Sequence, residues 1–419
     1  MGVESRKPIH YLKTNPKCWI GASLPTFKIC AQEVISQTPL TIKELKGMPW
    51  SQRHEYLNSY ALKRQEKRWE DAVGIKPQDS HFTLIVPIYN EENSLPSFLR
   101  TLLLSDIPSS VNVKIVFVTN ACNDSSISLI NDFFSILGKT ECKSLDEKFK
   151  DQSLNMNYQT IKLNCITFMH LDTRTPGKAN ALGIGNTIAC ESGHAIAMCV
   201  DANNYLEPDA IRVMFAHAHK AFRGKPRTND TVLLYGAIRK ELRAPHLMHV
   251  MMRGNKTQHF MEDRRGNVDG WFMAWNTEWI YSIGGPPEVA IEDYAMGVLA
   301  RVHNYQIERV EGAHIWGYEV NNLKNLLGMR ARYIRGTLQI LDLVDHDPLV
   351  LQIIGKEGYY MINLLGRLKY LLHKIKERPQ NLPRYVAAFL LWEYALRVGK
   401  RDYHQNPTNQ SWKKIDSTY

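Results

Sequence analysis

A chain of 419 residues, 44% of them hydrophobic, has room for one large α/β domain with smaller additions. Its seven cysteines are odd in number and scattered without metal-ligand spacing, which speaks against a disulfide framework and for a reducing compartment. A net charge of +10 asks for an anionic partner, and nucleic acid is set aside because no helix-turn-helix, zinc-finger or aromatic RNA-binding signature appears.

No apolar h-region follows Met1, and no run is long and apolar enough to span a bilayer. The first residues also lack the Ser or Thr that N-myristoylation wants at position six, where Arg6 stands. A soluble, cytoplasmic protein is expected. Residues 1–78 show no strand periodicity and are expected to form an extension lying on the main domain. Within them the charged run from Arg53 to Asp71 predicts an exposed helix.

Phe82 to Ile88 is the first apolar run of a buried strand, and Tyr89-Asn-Glu-Glu92 makes its turn. A helix is predicted from Ser94 to Leu104, with Ser94 as N-cap and Pro96 in the first turn. Val113 to Val118 is a second strand, closed by Asn120 to Asp124 and followed by a helix to Leu137 with Gly138 as C-cap. Strand, helix, strand, helix at this spacing signals a parallel sheet with both turns on one edge. Residues 139–160 read as a polar surface insertion, and 164–168 as another strand.

Lys178 opens a helix through Ala189 just after Gly177, a place where backbone N–H groups add to its charge and suit phosphate. Ala195 to Asp201 is a strand buried on both faces. Its turn carries Asp201, Asn203 and Asn204, oxygen-rich side chains suited to a hard divalent cation, with a plain Asx turn as the structural alternative. A helix is expected over 209–222 and a strand over 232–235. Asn255 to Asn267 reads as a basic, mobile loop.

Gly270 and Trp271 precede a Gly/Pro loop, after which Glu292 and Asp293 open a helix over 294–302. Capping is the structural role of such acids, and it is compatible with catalysis. A helix over 323–343 carries Arg330, Arg332 and Arg335, of which the last two, three apart, share a face and can clamp a diphosphate. Met361 to Lys376 is amphipathic, and 366–384 holds six Lys or Arg against one acid, Glu377. Such a helix either packs on the main domain or lies on an anionic membrane. Tyr385 to Val398 is apolar nearly all round, which predicts burial or an interface.

Taken in order, these segments resemble the GT-A glycosyltransferases of family 2, inverting enzymes that use nucleotide sugars. Pro87-Ile-Tyr-Asn-Glu91 is similar to their first-strand motif and Asn120 to Asp124 to their second. Pro176 to Leu182 resembles their Gly-Lys-Ala-x-Ala-Leu segment, Asp201-Ala-Asn203 stands at their Asp-x-Asp, Gly284 to Asp293 resembles the loop of their catalytic base, and Arg332-Tyr-Ile-Arg335 their Gln/Arg-x-x-Arg-Trp element. The resemblance implies an α/β fold of GT-A type, with a mostly parallel sheet flanked by helices. It implies a catalytic domain over 79–336 between the extension of 1–78 and a helical region over 337–419.

It further implies Asp293 as general base, and Pro87, Tyr89, Glu91, Asn120, Lys178, Asp201, Arg332 and Arg335 as nucleotide-sugar contacts. Gly270, Trp271 and Glu292 would face the acceptor. Asp201, Asn203 and His314 would hold Mn2+ or Mg2+. The donor would be a UDP-, GDP- or dTDP-sugar and the acceptor a hydroxyl, with peripheral membrane contact left open. Three departures matter: Asn203 replaces the second Asp, Asn120 the base-binding Asp, and Gly336 the Trp of processive synthases. The last argues for non-processive transfer. The first leaves a catalytically weak, sugar-nucleotide- or partner-binding relative as the alternative. A sugar nucleotidyltransferase is set aside, since the turn at 89–92 has no Gly-rich, Arg-bearing phosphate loop.

Overall fold

The computed structural model describes residues 66–407 apart from 104, 109, 138–140, 145–156, 223, 242–257, 261–267, 269, 319–322, 345–347, 351–352, 354–363 and 378. Its centre is four parallel strands, β1 (His81–Ile88), β2 (Asn112–Asn120), β5 (Ile166–Thr173) and β6 (Ile196–Val200), side by side in the order β5-β2-β1-β6. These are the continuous apolar runs of the sequence, and alternation sends their side chains to two cores. Leu84, Val86 and Phe117 go to one face, while Ile85 and Val116 go to the other. Helices α2 (Leu95–Leu103), α3 (Ser126–Leu137) and α5 (Ala210–Ala221) cover the first face. Helices α4 (Lys178–Glu191), α6 (Thr277–Ser282) and α7 (Glu292–Val302) cover the second.

Antiparallel strands widen this centre on both sides. β3 (Glu141–Ser144) pairs β4 (Asn157–Leu163), which pairs β5. The expected surface insertion therefore contributes strands at both its ends, with Ile161 and Leu163 buried. On the other side β10 (Phe272–Asn276) lies antiparallel between β6 and β8 (Thr231–Glu241). β8 then pairs β11 (Gln306–Tyr318) in parallel and β9 (Gln258–Phe260) in antiparallel. The short β7 (Tyr205–Leu206) closes the far edge on β11. Apart from β9, most of the predicted loop over 255–267 lies outside the described residues, as do Gly138 and residues 53–65.

The charged amino-terminal helix is not wholly exposed. In α1 (Glu66–Val73), Trp69 is fully buried, stacks against Phe82 and Phe215, and donates its indole N–H to Ser80 Oγ at 2.9 Å. Burying a side chain of that size contributes roughly 2–3 kcal/mol, which fixes the helix to the first core. At the other end α8 (Leu323–Leu343) packs on α10 (Leu382–Gln405) through Ile334, Ala395 and Leu396, with Arg330 stacked over Trp392 at 4.7 Å. α9 (Leu364–Glu377) lies against α10. Among the described residues, no helix is long and apolar enough to cross a membrane.

Candidate active site

Three of the parallel strands end on one edge of the sheet, and their turns are laced together there. Asn90, at φ 55°, accepts from the Asn123 N–H with its Oδ1 at 2.8 Å, and the Glu92 N–H donates to Asp124 Oδ2 at 3.1 Å. Glu91 is held from both sides. Its Oε2 accepts from Ser94 Oγ at 2.7 Å and its Oε1 from Asn203 Nδ2 at 3.3 Å. Asn120, 3% exposed at the end of β2, donates its Nδ2 to Gly177 O at 2.7 Å. Its Oδ1 is buried and has no hydrogen-bond partner in the described structure, a condition that costs about 1–3 kcal/mol if nothing meets it.

Gly177, at φ 132°, takes a backbone conformation that side-chain-bearing residues avoid, and so turns the chain into α4 at Lys178. Lys178 is 7% exposed, and its ammonium is surrounded by oxygen. Nζ lies 2.7 Å from Asp201 Oδ1 and 3.1 Å from Glu292 Oε1, and donates to Gly270 O at 2.9 Å. Burial pulls the lysine's pKa down, but the Asp201 and Glu292 carboxylates outweigh it and hold the ammonium well above its ordinary range. Burial raises Asp201 and Glu292 in turn, against the opposing pull of Lys178. The lysine expected to meet phosphate is therefore the internal counter-ion of two carboxylates, brought together from α4, the end of β6 and the start of α7.

Asp293 is half-buried beside this cluster. Its Oδ1 accepts from its own helix at the Tyr294 N–H, 2.9 Å away, and its Oδ2 from the Gly270 N–H at 2.8 Å. A Cβ on Gly270 would come within 2.5 Å of Asp293 Oδ2, so only glycine lets the two segments approach. Gly270 thus holds Asp293 with its N–H and Lys178 with its carbonyl. Next to it, Trp271 O accepts from the Asp201 N–H at 3.0 Å and binds the strand-end turn to β10.

Pro87, Tyr89, Glu91, Asn120, Lys178, Asp201 and Asn203 line one cleft open to solvent. Glu292, Gly270 and, through Gly270, Asp293 join it by way of Lys178. Arg332, on α8, is near enough for its charge to lower Asp201. Arg335 is 8% exposed and lies in the field of Asp402 on α10, its guanidinium lowered by burial. His314 is placed elsewhere: its Nδ1 is 3.4 Å from Glu207 Oε2, at the β11–β7 edge. Gly336, the position of the missing Trp, faces the loop that leads to Glu292, and any Cβ there would overlap Ile291. One residue that the sequence did not flag is Gln339. Its Oε1 accepts from the Ala290 N–H at 2.8 Å and its Nε2 donates to Pro407 O at 2.6 Å.

No protein-family model matches the chain, and no curated protein does. Among solved structures it is similar to the mannosyltransferase PcManGT from Pyrobaculum calidifontis, in complex with GDP-Man and Mn2+. That likeness has 17% identity over 91% of this chain and 93% of that one, with a TM-score of 0.42. It is also similar to S. aureus TarS 1-349 in complex with UDP, at 13% identity over 80% and 95% of the two chains and a TM-score of 0.38. For the same protein with UDP-GlcNAc the identity is 14%, the coverage 78% and 92%, and the TM-score 0.39.

What the cleft can hold follows from its own atoms. Glu91, Asp201 and Asn203 present carboxylate and amide oxygens on one wall, the hard donors that Mn2+ or Mg2+ takes together with phosphate oxygens. Asp201 shares its Oδ1 with Lys178, and among the described residues no three His, Cys, Asp or Glu side chains gather around a metal position. The donor set fits an ion completed by a ligand's phosphates rather than one held by protein alone.

Proposed function

We propose that this chain is a GT-A glycosyltransferase that moves a sugar from a nucleoside-diphosphate sugar to an acceptor hydroxyl, with inversion and one transfer per acceptor. The observation that carries the reading is the shared lysine. Lys178 lines the cleft together with Glu91, Asn120, Asp201 and Asn203 and also pairs with Glu292, the neighbour of Asp293, which supports a carboxylate base close to a ligand in the cleft.

Pro87, Tyr89 and Glu91 would hold the nucleoside, and the buried Oδ1 of Asn120 would accept an N–H from its base. The acceptor oxygen attacks the anomeric carbon on the face opposite the diphosphate. The carbon–oxygen bond to phosphate breaks, its electron pair leaves on the diphosphate, and the acceptor proton passes to Asp293. The N–H groups of Gly270 and Tyr294 hold that carboxylate in one pose. Arg332, whose charge reaches Asp201, would contribute positive charge toward the departing diphosphate. Glu91, Asp201 and Asn203 would hold a divalent ion, which would supply positive charge to the leaving diphosphate. Lys178 has a supporting role: it fixes Asp201 and Glu292 against each other. Trp271 and Glu292 would border the acceptor. The close fit of Gly336 against Ile291 leaves no room for the Trp of processive synthases, which supports single transfers.

Release of nucleoside diphosphate from UDP-, GDP- and dTDP-sugars with Mn2+ tests the reading, with calorimetric binding of the nucleotide as a separate readout. Asp293→Asn should keep nucleotide binding and lose about 10²–10⁴-fold of turnover. Failure to bind any nucleoside diphosphate would overturn the proposal. Binding without turnover on any donor would favour a sugar-nucleotide-binding relative. Asn203 points to that second reading, since it gives the 201–204 turn an amide, donated to Glu91, in place of a second charge.

A further inference from the structure

We propose that α9 and α10 together form a surface that docks on an anionic lipid bilayer. The inference is independent of the chemistry in the cleft. On α9, Leu364, Leu365, Leu368 and Leu372 are exposed, and their spacing puts them on one face of the helix. On α10, Leu382, Val386, Leu390 and Tyr394 recur every four residues and are exposed as well, Leu390 to 62%. The side of α10 that faces the protein is a different one, where Ala395 and Leu396 pack on Ile334 of α8. Two adjacent helices therefore turn apolar stripes to solvent, more than scattered surface leucines would explain.

Charge selects the occupant. Residues 364–405 carry nine Lys or Arg against three Asp or Glu, a net +6 of the chain's +10 in a tenth of its length. Lys369 and Lys376 are exposed beside the leucine face of α9. A second copy of the chain would bring the same positive charge against it. Residues 1–65 are poorly suited too, with ten Lys or Arg against four acids. Anionic headgroups over acyl chains match both properties at once, since the leucines enter the acyl boundary while the lysines stay among the headgroups. With no helix able to cross a membrane among the described residues, the helices would lie in the surface plane.

Co-sedimentation of the full chain with vesicles of phosphatidylcholine, alone or mixed with phosphatidylglycerol, is the test. The chain should sediment with the mixed vesicles, be released by high salt, and bind neutral vesicles weakly. Leu368→Glu/Leu372→Glu/Leu390→Glu should lower partitioning by more than about tenfold with an unchanged circular dichroism spectrum, since these side chains are already in water. Lys369→Gln/Lys376→Gln should weaken binding to the mixed vesicles alone, and serves as the second measure if the glutamates disturb folding. No binding to mixed vesicles, or equal binding to both kinds, would overturn the proposal. So would a dimer in solution that the leucine substitutions dissociate.

Discussion

Lys178→Met removes the ammonium and keeps most of the side chain's length and volume. Two carboxylates, Asp201 and Glu292, and the Gly270 carbonyl then lose their common partner in a site where Lys178 is 7% exposed and Glu292 2%. Removing one member of a buried ion pair costs about 3–5 kcal/mol, because the charge left behind has neither water nor partner. With two carboxylates dependent on one lysine, the expected loss lies at the upper end of that range. Adding Glu292→Gln removes one of the stranded charges and should restore about 0.5–3 kcal/mol, the usual size of coupling between contacting groups.

The pH dependence has a definite sign. Burial raises both carboxyls above their ordinary 3.8 and 4.5, so their contribution to stability is full below those values and is lost as pH rises through the raised ones. Without the ammonium opposing that rise, Lys178→Met should be clearly more stable at pH 5 than at pH 7, and the unaltered chain much less so. Urea unfolding followed by far-ultraviolet circular dichroism at the two pH values measures both effects. A loss below about 1 kcal/mol that does not change with pH would mean the carboxylates are solvated, and the central place given to Lys178 would be refuted.

Gly270→Ala drives a Cβ into the Asp293 carboxylate, so turnover should fall at least as far as in Asp293→Asn while calorimetry still shows nucleotide binding. Mn2+ should bind weakly to the free chain and clearly once a nucleoside diphosphate is present, and it should tighten the nucleotide by the same factor. Asn203→Asp should shrink that coupling, as titration calorimetry of each ligand with and without the other would show. Burial lowers His170 from 6.5 to about 4, so it penalises the folded state as pH falls through that interval. The expected cost is about 3 kcal/mol by pH 4, and His170→Gln should flatten that part of the stability profile. Gly336→Ala should cost about 1–3 kcal/mol in urea unfolding, since its methyl overlaps Ile291.

The centre of the fold was legible because its strands are buried on both faces. Continuous runs such as Phe82 to Ile88 and Ile196 to Val200 have few other readings when they alternate with helices. The edges were harder. Among the described side chains of β4, Ile161 and Leu163 are buried, a pattern too sparse to stand out in a polar stretch, and β10 offers four apolar residues before Asn276, a run whose state is decided by the strands on either side. The cleft residues were found because their turns lie on one edge of the sheet. Lys178 was located, but its ion pair with Glu292 and its bond to Gly270 were not legible, since these partners are distant in sequence and no local pattern announces them. His314 lies within β11, just past the irregularity that follows Val310, and faces Glu207 at the sheet's edge.

The amide of Gln339 joins segments that are otherwise separate, the Ala290 backbone before Glu292 and Asp293 and Pro407 just beyond α10. Fraying at the last turn of α10 would release the bond to Pro407 and loosen the side chain that holds Ala290, so opening of that helix end should weaken the hold on the approach to Asp293. Exchange of the Ala290 amide with solvent would then report on a helix end more than a hundred residues further along the chain. Anything that steadies α10, including a surface it rests on, would slow that exchange and keep the segment before Glu292 in place.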